Sequence, residues 1–97
     1  LSLTMRSYIE NPDFDSELLA KKVGLSKAQL YRKLKSAAGM STAEFIKSYR
    51  VNTAAAMLRS EARMSISEIA YKVGFKNPAH FSRSFKELLG KNPSDYH

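Results

Sequence analysis

A chain of 97 residues with 43% apolar residues and a net charge of +7 has room for one compact region or two small lobes, and is too apolar for general disorder. It contains no cysteine, which removes disulfides, thiol nucleophiles and thiolate metal sites together and fits a reducing compartment. No run approaches the roughly 18 apolar residues of a membrane span and no signal-peptide pattern is present, so a cytoplasmic segment without membrane contact of its own is expected.

In chain order, residues 2–10 show a helical pattern with Met5, Tyr8 and Ile9 on one side, and Asn11-Pro12 ends it. Because Leu1 falls within this pattern and is not Met, the chain is expected to be part of a longer protein, whose other parts could include a membrane anchor. Asp15 is placed to cap a second helix to about Val23, with Leu18, Leu19 and Val23 inward, and Gly24 closes it. Ser26 and Gln29 have capping-box spacing and open a third helix over about 27–38, stopped by Gly39. At 100° per residue, Leu30, Leu34, Ala37 and Ala38 gather on its inner face. Ala28, Gln29, Arg32, Lys35 and Ser36 lie on the other face, with Lys27, Tyr31 and Lys33 at the edges. Helix, short glycine-containing turn and helix is the helix-turn-helix arrangement, although an ordinary helical hairpin has the same pattern.

Ser41 and Glu44 repeat the capping-box spacing and open a long helix over about Thr42 to Ser60. Its apolar residues Phe45, Ile46, Val51, Ala54, Ala55, Ala56, Met57 and Leu58 spread over more than one stripe, as expected of a helix touching two bodies. At about 1.5 Å per residue it reaches roughly 27 Å, enough to hold two lobes near one DNA turn apart. Arg50, in its middle, is expected at a phosphate or in an ion pair rather than in the core. Residues 60–64 are polar and loop-like. Ser65 and Glu68 start a helix to Val73 with Ile66, Ile69, Ala70 and Val73 inward, and Gly74-Phe75 make a turn. Asn77 caps a helix over about 78–89 with Pro78 at its first position, where a missing N–H costs nothing. Phe81, Phe85, Leu88 and Leu89 are expected inward, with Ala79, His80, Arg83, Lys86 and Glu87 outward and Ser82 at the edge. Gly90 ends it, and Pro93-Ser94-Asp95-Tyr96 form a closing turn with Tyr96 inward.

The third and sixth helices are copies. Matching Ser26 to Asn77 aligns Leu30 with Phe81, Arg32 with Arg83, Leu34 with Phe85, Lys35 with Lys86 and Gly39 with Gly90. Upstream, Ala20, Lys22, Val23 and Gly24 match Ala70, Lys72, Val73 and Gly74 at an offset of 50, against 51 after the turn, so the second turn is one residue longer. The expected architecture is all-α, with about seven helices: two helix-turn-helix lobes (1–40 and 61–97) joined by a linker helix (41–60).

The charge is uneven. Residues 21–50 hold Lys21, Lys22, Lys27, Arg32, Lys33, Lys35, Lys47 and Arg50 against Glu44 alone, and the rest of the chain is neutral. A basic patch on a folded segment points to a polyanion; the alternative is lysine placed for solubility.

The paired helix-turn-helix units, the long joining helix and the string ISEIAYKVGFKNPAHFSRSFKELLGKNPSDYH together resemble the DNA-binding domain of the AraC/XylS family of transcription regulators over essentially the whole chain. The family's Ile-Ala, Val-Gly-Phe, Phe-Ser-Arg-x-Phe-Lys, Gly and Pro-Ser-x-Tyr elements fall within Ile66 to Tyr96. Leu19-Ala20, Val23-Gly24, Ser26, Leu30, Arg32, Leu34-Lys35 and Gly39 carry the resemblance in the first unit. It implies a bacterial regulator whose third and sixth helices enter successive major grooves. Carried over, the base-contacting positions are Ala28, Gln29, Tyr31, Arg32 and Lys35, then Ala79, His80, Ser82 and Arg83. The backbone contacts are Ser26, Lys27, Lys33, Arg50, Asn77 and Lys86. LYRKLK together with ISEIAYKVGF further resembles the output domains of hybrid two-component regulators in Bacteroidetes, which implies sensor and receiver parts upstream of Leu1. The resemblance also implies contact with RNA polymerase, a dimeric full-length protein and a monomeric isolated domain, with no cofactor.

The chemistry of these positions sets their expected roles. The planar fork of Arg32 matches guanine O6 and N7, or alternatively a phosphate. Gln29 suits adenine but is also the partner of Ser26, and the cap is the favoured of the two roles. Tyr31 suits a sugar or a thymine methyl, or else packs against the preceding helix. Lys33 and Lys35 suit phosphates. In the second unit Arg83 is the equivalent of Arg32, while Ala79 offers a methyl, Ser82 a hydroxyl, and His80 a donor for phosphate or base. Enzyme chemistry is not expected: there are two histidines, no Gly-rich phosphate loop and no acidic pair on a shared face. A helical module docking an acidic protein partner such as RNA polymerase is the alternative. RNA binding would need stacking surfaces on strands.

Overall fold

The computed structural model describes residues 1–60 and 63–96, which form six α-helices and a closing 3-10 turn with no strand among them. The helices are α1 (Ser2–Tyr8), α2 (Ser16–Lys22), α3 (Lys27–Ala38), α4 (Thr42–Ser60), α5 (Ile66–Lys72) and α6 (Pro78–Leu89), with the 3-10 turn at Pro93–Asp95. The loop expected over 60–64 falls partly outside the described residues; Ser60 ends α4, and Met64 packs against the second core.

Local chemistry sets the helix starts. All three capping boxes form: the Ser26, Ser41 and Ser65 hydroxyls accept from the N–H of Gln29, Glu44 and Glu68, whose side chains accept in return from the serine N–H. Asp15 and Asn77 cap α2 and α6 by accepting from Leu18 and His80 N–H at 3.0 and 2.7 Å. Each cap of this kind contributes about 1 kcal/mol.

The two units repeat down to single hydrogen bonds. Val23 N–H donates to Leu19 O, Gly24 to Lys21 O and Leu25 to Ala20 O; Val73, Gly74 and Phe75 make the same bonds to Ile69, Tyr71 and Ala70. Leu25 and Phe75 are therefore equivalent, and Lys76 is the extra residue of the second turn.

Helix α4 serves both units. Ile46 belongs to the first core with Met5, Phe14, Leu19, Ala20, Leu30 and Leu34, and Phe45 and Tyr49 pack against it. Val51, Ala54, Ala55 and Leu58 belong to the second, with Ile69, Ala70, Val73, Phe75, Phe81 and Phe85. The cores differ in kind. The first is mainly aliphatic, with one stacked pair, Tyr8 on Phe14 at 5.0 Å. In the second an aromatic chain runs from Phe75 through Phe81 and Phe85 to Tyr96, with ring centres 5.2 to 5.7 Å apart.

Several expectations about faces are corrected. Leu88 is 45% exposed, and Ala37, its counterpart in α3, is exposed too, as are Ala38 and Ala56. The last turn of α3 runs past the first core, so its inward stripe ends at Leu34; in α6 the stripe continues to Leu89, which packs on the second core and leaves Leu88 toward solvent. Phe14, in a loop without periodicity, is buried.

Candidate nucleic-acid interface

Helices α3 and α6 anchor their inner faces with Leu30 and Leu34, and with Phe81 and Phe85, all buried. Burying each such side chain is worth about 1.5–3 kcal/mol, so both helices are held firmly while their outer faces stay in solvent. On α3 the exposed residues include Ala28, Gln29, Tyr31, Arg32 and Lys35, flanked by Lys27 and Lys33, with Ser26 at the cap. On α6 they include Ala79, His80, Arg83 and Lys86, with Ser82 half-buried and Asn77 at the cap.

The cations on these faces make no ion pair among the described residues. Among the described residues the ion pairs are Lys47 with Glu87 at 3.5 Å and Lys76 with Asp13 at 3.0 Å, and neither uses Arg32, Lys33, Lys35, Arg83 or Lys86. An anion reaching these five cations therefore displaces no ion pair among the described residues.

Individual side chains narrow the possibilities. Gln29 Oε1 accepts from Ser26 N–H at 2.9 Å, so the paired contact with adenine, which needs that oxygen, is closed while the cap holds; its amide N–H groups remain to donate. Ser26 Oγ accepts from Gln29 N–H at 3.1 Å, leaving its own proton for an outside acceptor. Tyr31 is 46% exposed and lies outside the first core, so its ring is available at the surface. His80 packs edge-on against Phe75 with ring centres 5.4 Å apart, which holds the imidazole beside the turn of the second unit.

Arg50 departs from expectation. It is only 7% exposed, and its guanidinium donates to three backbone carbonyls: Gly74 O at 2.7 Å, Asn11 O at 3.0 Å and Phe14 O at 3.3 Å. It is a core residue, neither at the surface for a phosphate nor in an ion pair. Burial pushes its pKa below the ordinary arginine value. Spacing along the chain gave no hint of this, because its partners lie 24 to 39 residues away.

Removing Arg50 from the surface leaves the basic patch to Lys21, Lys22, Lys27, Arg32, Lys33, Lys35 and Lys47, of which Lys47 is paired with Glu87. Lys22 also lies over the Tyr8 ring, 5.2 Å from its centre. The capping carboxylate of Glu44 is held below the ordinary carboxylate range, chiefly by the bond from Ser41 N–H, then by the Ser41 hydroxyl, with Lys35 and Lys47 adding. Among the described residues no group of three His, Asp or Glu side chains is placed to hold a metal ion, and no helix is long and apolar enough to cross a membrane.

Two matched helices with apolar inner faces and unpaired cations outside, carried on one connecting helix, define a double helix-turn-helix protein. Comparison with known proteins agrees. A family model described as a helix-turn-helix domain matches residues 19–97. Histidine kinase P4 of Formosa agariphila is 35% identical over 86 residues, covering 89% of this chain and 6% of that protein. The C-terminal domain of AraT, a response regulator from Geobacillus stearothermophilus, superposes with a TM-score of 0.83 at 28% identity, covering 98% of this chain and 78% of that one. The DNA-binding domain of AdpA, a global transcriptional factor solved in complex with a target DNA, gives a TM-score of 0.81 at 27% identity, covering 93% and 79%. The chain belongs to the AraC-type helix-turn-helix family of DNA-binding transcription regulators. It spans less than a third of the first curated relatives it matches.

Proposed function

We propose that the chain binds double-stranded DNA sequence-specifically, with α3 and α6 in successive major grooves on one side of the duplex, as the output part of a transcription regulator. The observation that carries this reading is the pair of unpaired cationic outer faces on two equivalent, firmly anchored helices. Residues 1–40 and 61–97 act as the two readers and 41–60 as the link between them. Arg32 and Arg83 reach base edges, aided by Ala28, Tyr31, Lys35, Ala79, His80 and Ser82, and by the free amide donors of Gln29. Ser26, Lys27, Lys33, Asn77 and Lys86 hold phosphates, which sets the register of the helices without reading sequence.

The same reading places the chain in the cytoplasm as a monomer when isolated, with dimerisation and contact with RNA polymerase belonging to the whole protein. Control by phosphorylation through upstream receiver parts is supported by the similarity to a histidine kinase and to a response regulator's C-terminal domain.

Selection of the domain against a random duplex pool, with winners retested across a salt series, tests the proposal. Two enriched half-sites about one helical turn apart, both lost in an Arg32→Ala/Arg83→Ala double variant, are expected. Salt-sensitive binding with no enriched motif would leave only a basic surface and overturn it.

A further inference from the structure

Helix α4 fixes the separation of the two units along its own axis, but packing on one helix leaves each unit able to rock about it. Contacts beyond the packing of each core oppose that freedom, and they gather around Arg50, a residue of α4 itself. This residue sits between Tyr49, packed against the first core, and Val51, in the second. Its Nη1 bonds Gly74 O in the turn of the second unit, and its Nη2 bonds Asn11 O and Phe14 O in the α1–α2 loop of the first. One planar group thus holds both units at once. No acceptor among the described residues reaches its buried Nε, so those three carbonyls supply all the hydrogen bonds of the guanidinium among them.

Neighbouring features tighten the same joint. Gly74 is buried with φ +93, and a Cβ there would overlap Ile9 O and the Arg50 guanidinium, so the second turn lies directly against the end of α1. Ile9 packs on the second core although it follows a helix of the first unit. Lys76, the one residue by which the second turn exceeds the first, pairs with Asp13 across the joint at 3.0 Å. Its counterpart turn has no such tie: a Cβ on Gly24 would meet nothing.

We propose that Arg50 is a positioning residue for DNA recognition, locking the two recognition helices into one distance and phase and thereby setting which half-site spacing the protein accepts. This rests on the DNA-binding reading above. A base pair added between half-sites moves the second by about 3.4 Å and turns it by about 35°, which a locked pair of readers cannot follow and a rocking pair can in part.

The test uses duplexes carrying the selected site with one base pair removed, none changed, or one or two added. These are titrated with wild type, Arg50→Met and Arg50→Lys, the lysine variant keeping charge and stem in case the methionine variant does not fold. Wild type is expected to lose about tenfold or more at every altered spacing. The variants are expected to bind the best spacing more weakly and to lose less than about threefold at the others, a flattening that simple loss of stability would not produce. Residual dipolar couplings on the DNA-free protein supply a second readout. One alignment tensor should describe both units in wild type, and two should be needed in the Arg50 variants. A wild type that accepts all spacings, an unchanged profile in folded variants, or two tensors in wild type each overturns the proposal. Absence of DNA binding by wild type would instead sink the functional reading and leave the tensors to decide this one.

Discussion

The two helix-turn-helix units share a backbone and differ in almost everything laid on it. The first has a mainly aliphatic core, six cations and no acid between Lys21 and Lys35, and a turn glycine with open space around it. The second has an aromatic core, a net charge of +2 over 61–97 (six Lys and Arg against four Asp and Glu), and a turn glycine pinned between Ile9 and Arg50. A duplicated unit can therefore keep its caps and turn bonds while its copies specialise. In this account the first concentrates its cations along α2 and α3, and the second supplies a stiff, anchored frame.

The glycines offer the widest separation between the units. Alanine at position 74 adds left-handed strain to an overlap with backbone and guanidinium, so Gly74→Ala is expected to cost about 3 kcal/mol or more in urea unfolding. Alanine at position 24 meets only the strain, about 1–2 kcal/mol. Similar losses at both positions would break the comparison.

Next come the two arginines. Arg32→Ala is expected to weaken binding to the selected site by about 1–3 kcal/mol, and Arg83→Ala by less in the same buffer, because Arg32 lies within the acid-free cationic stretch from Lys21 to Lys35 whereas Arg83 shares its helix with Glu87. Equal losses, read by fluorescence anisotropy titration, would contradict the asymmetry. Lys33→Ala should leave motif preference unchanged and lower the slope of log affinity against log salt by about 1, as loss of one phosphate contact requires.

The smallest effect is expected at the start of α4. Since Glu44 has a lowered pKa in the folded state, the stability it contributes is complete above the ordinary carboxylate range and is lost as pH falls through the lowered value. Thermal melts from neutral to acid pH should show a shallower acid decline in Glu44→Gln than in wild type.

How much of this could be seen in the chain itself depended on the range of the interaction. Caps, left-handed stops and the repeat are local, so Ser26, Ser41, Ser65, Asp15 and Asn77 stood out from spacing alone, and the outward faces of α3 and α6 followed from the inward ones. Face assignment failed at Ala37 and Ala38, where periodicity continues but the packing partner has ended, and at Leu88, where the contact with the second core is made by Leu89 instead. Arg50 was missed because a charged residue in a helix is ordinarily at the surface, and the carbonyls that pay for its burial come from a loop and a turn far away in sequence. Residue types show which groups can bind an anion; only the tertiary contacts show which of them are already committed.

The central claim is that two equivalent helices read one face of a duplex together. Hydroxyl-radical footprinting of wild type on the selected site tests it most directly. Two protected clusters about one helical turn apart on the same face are predicted, with the Arg32→Ala variant weakening one and the Arg83→Ala variant the other. A single protected cluster, or protection that shifts along the duplex without fixed phase, would contradict the account.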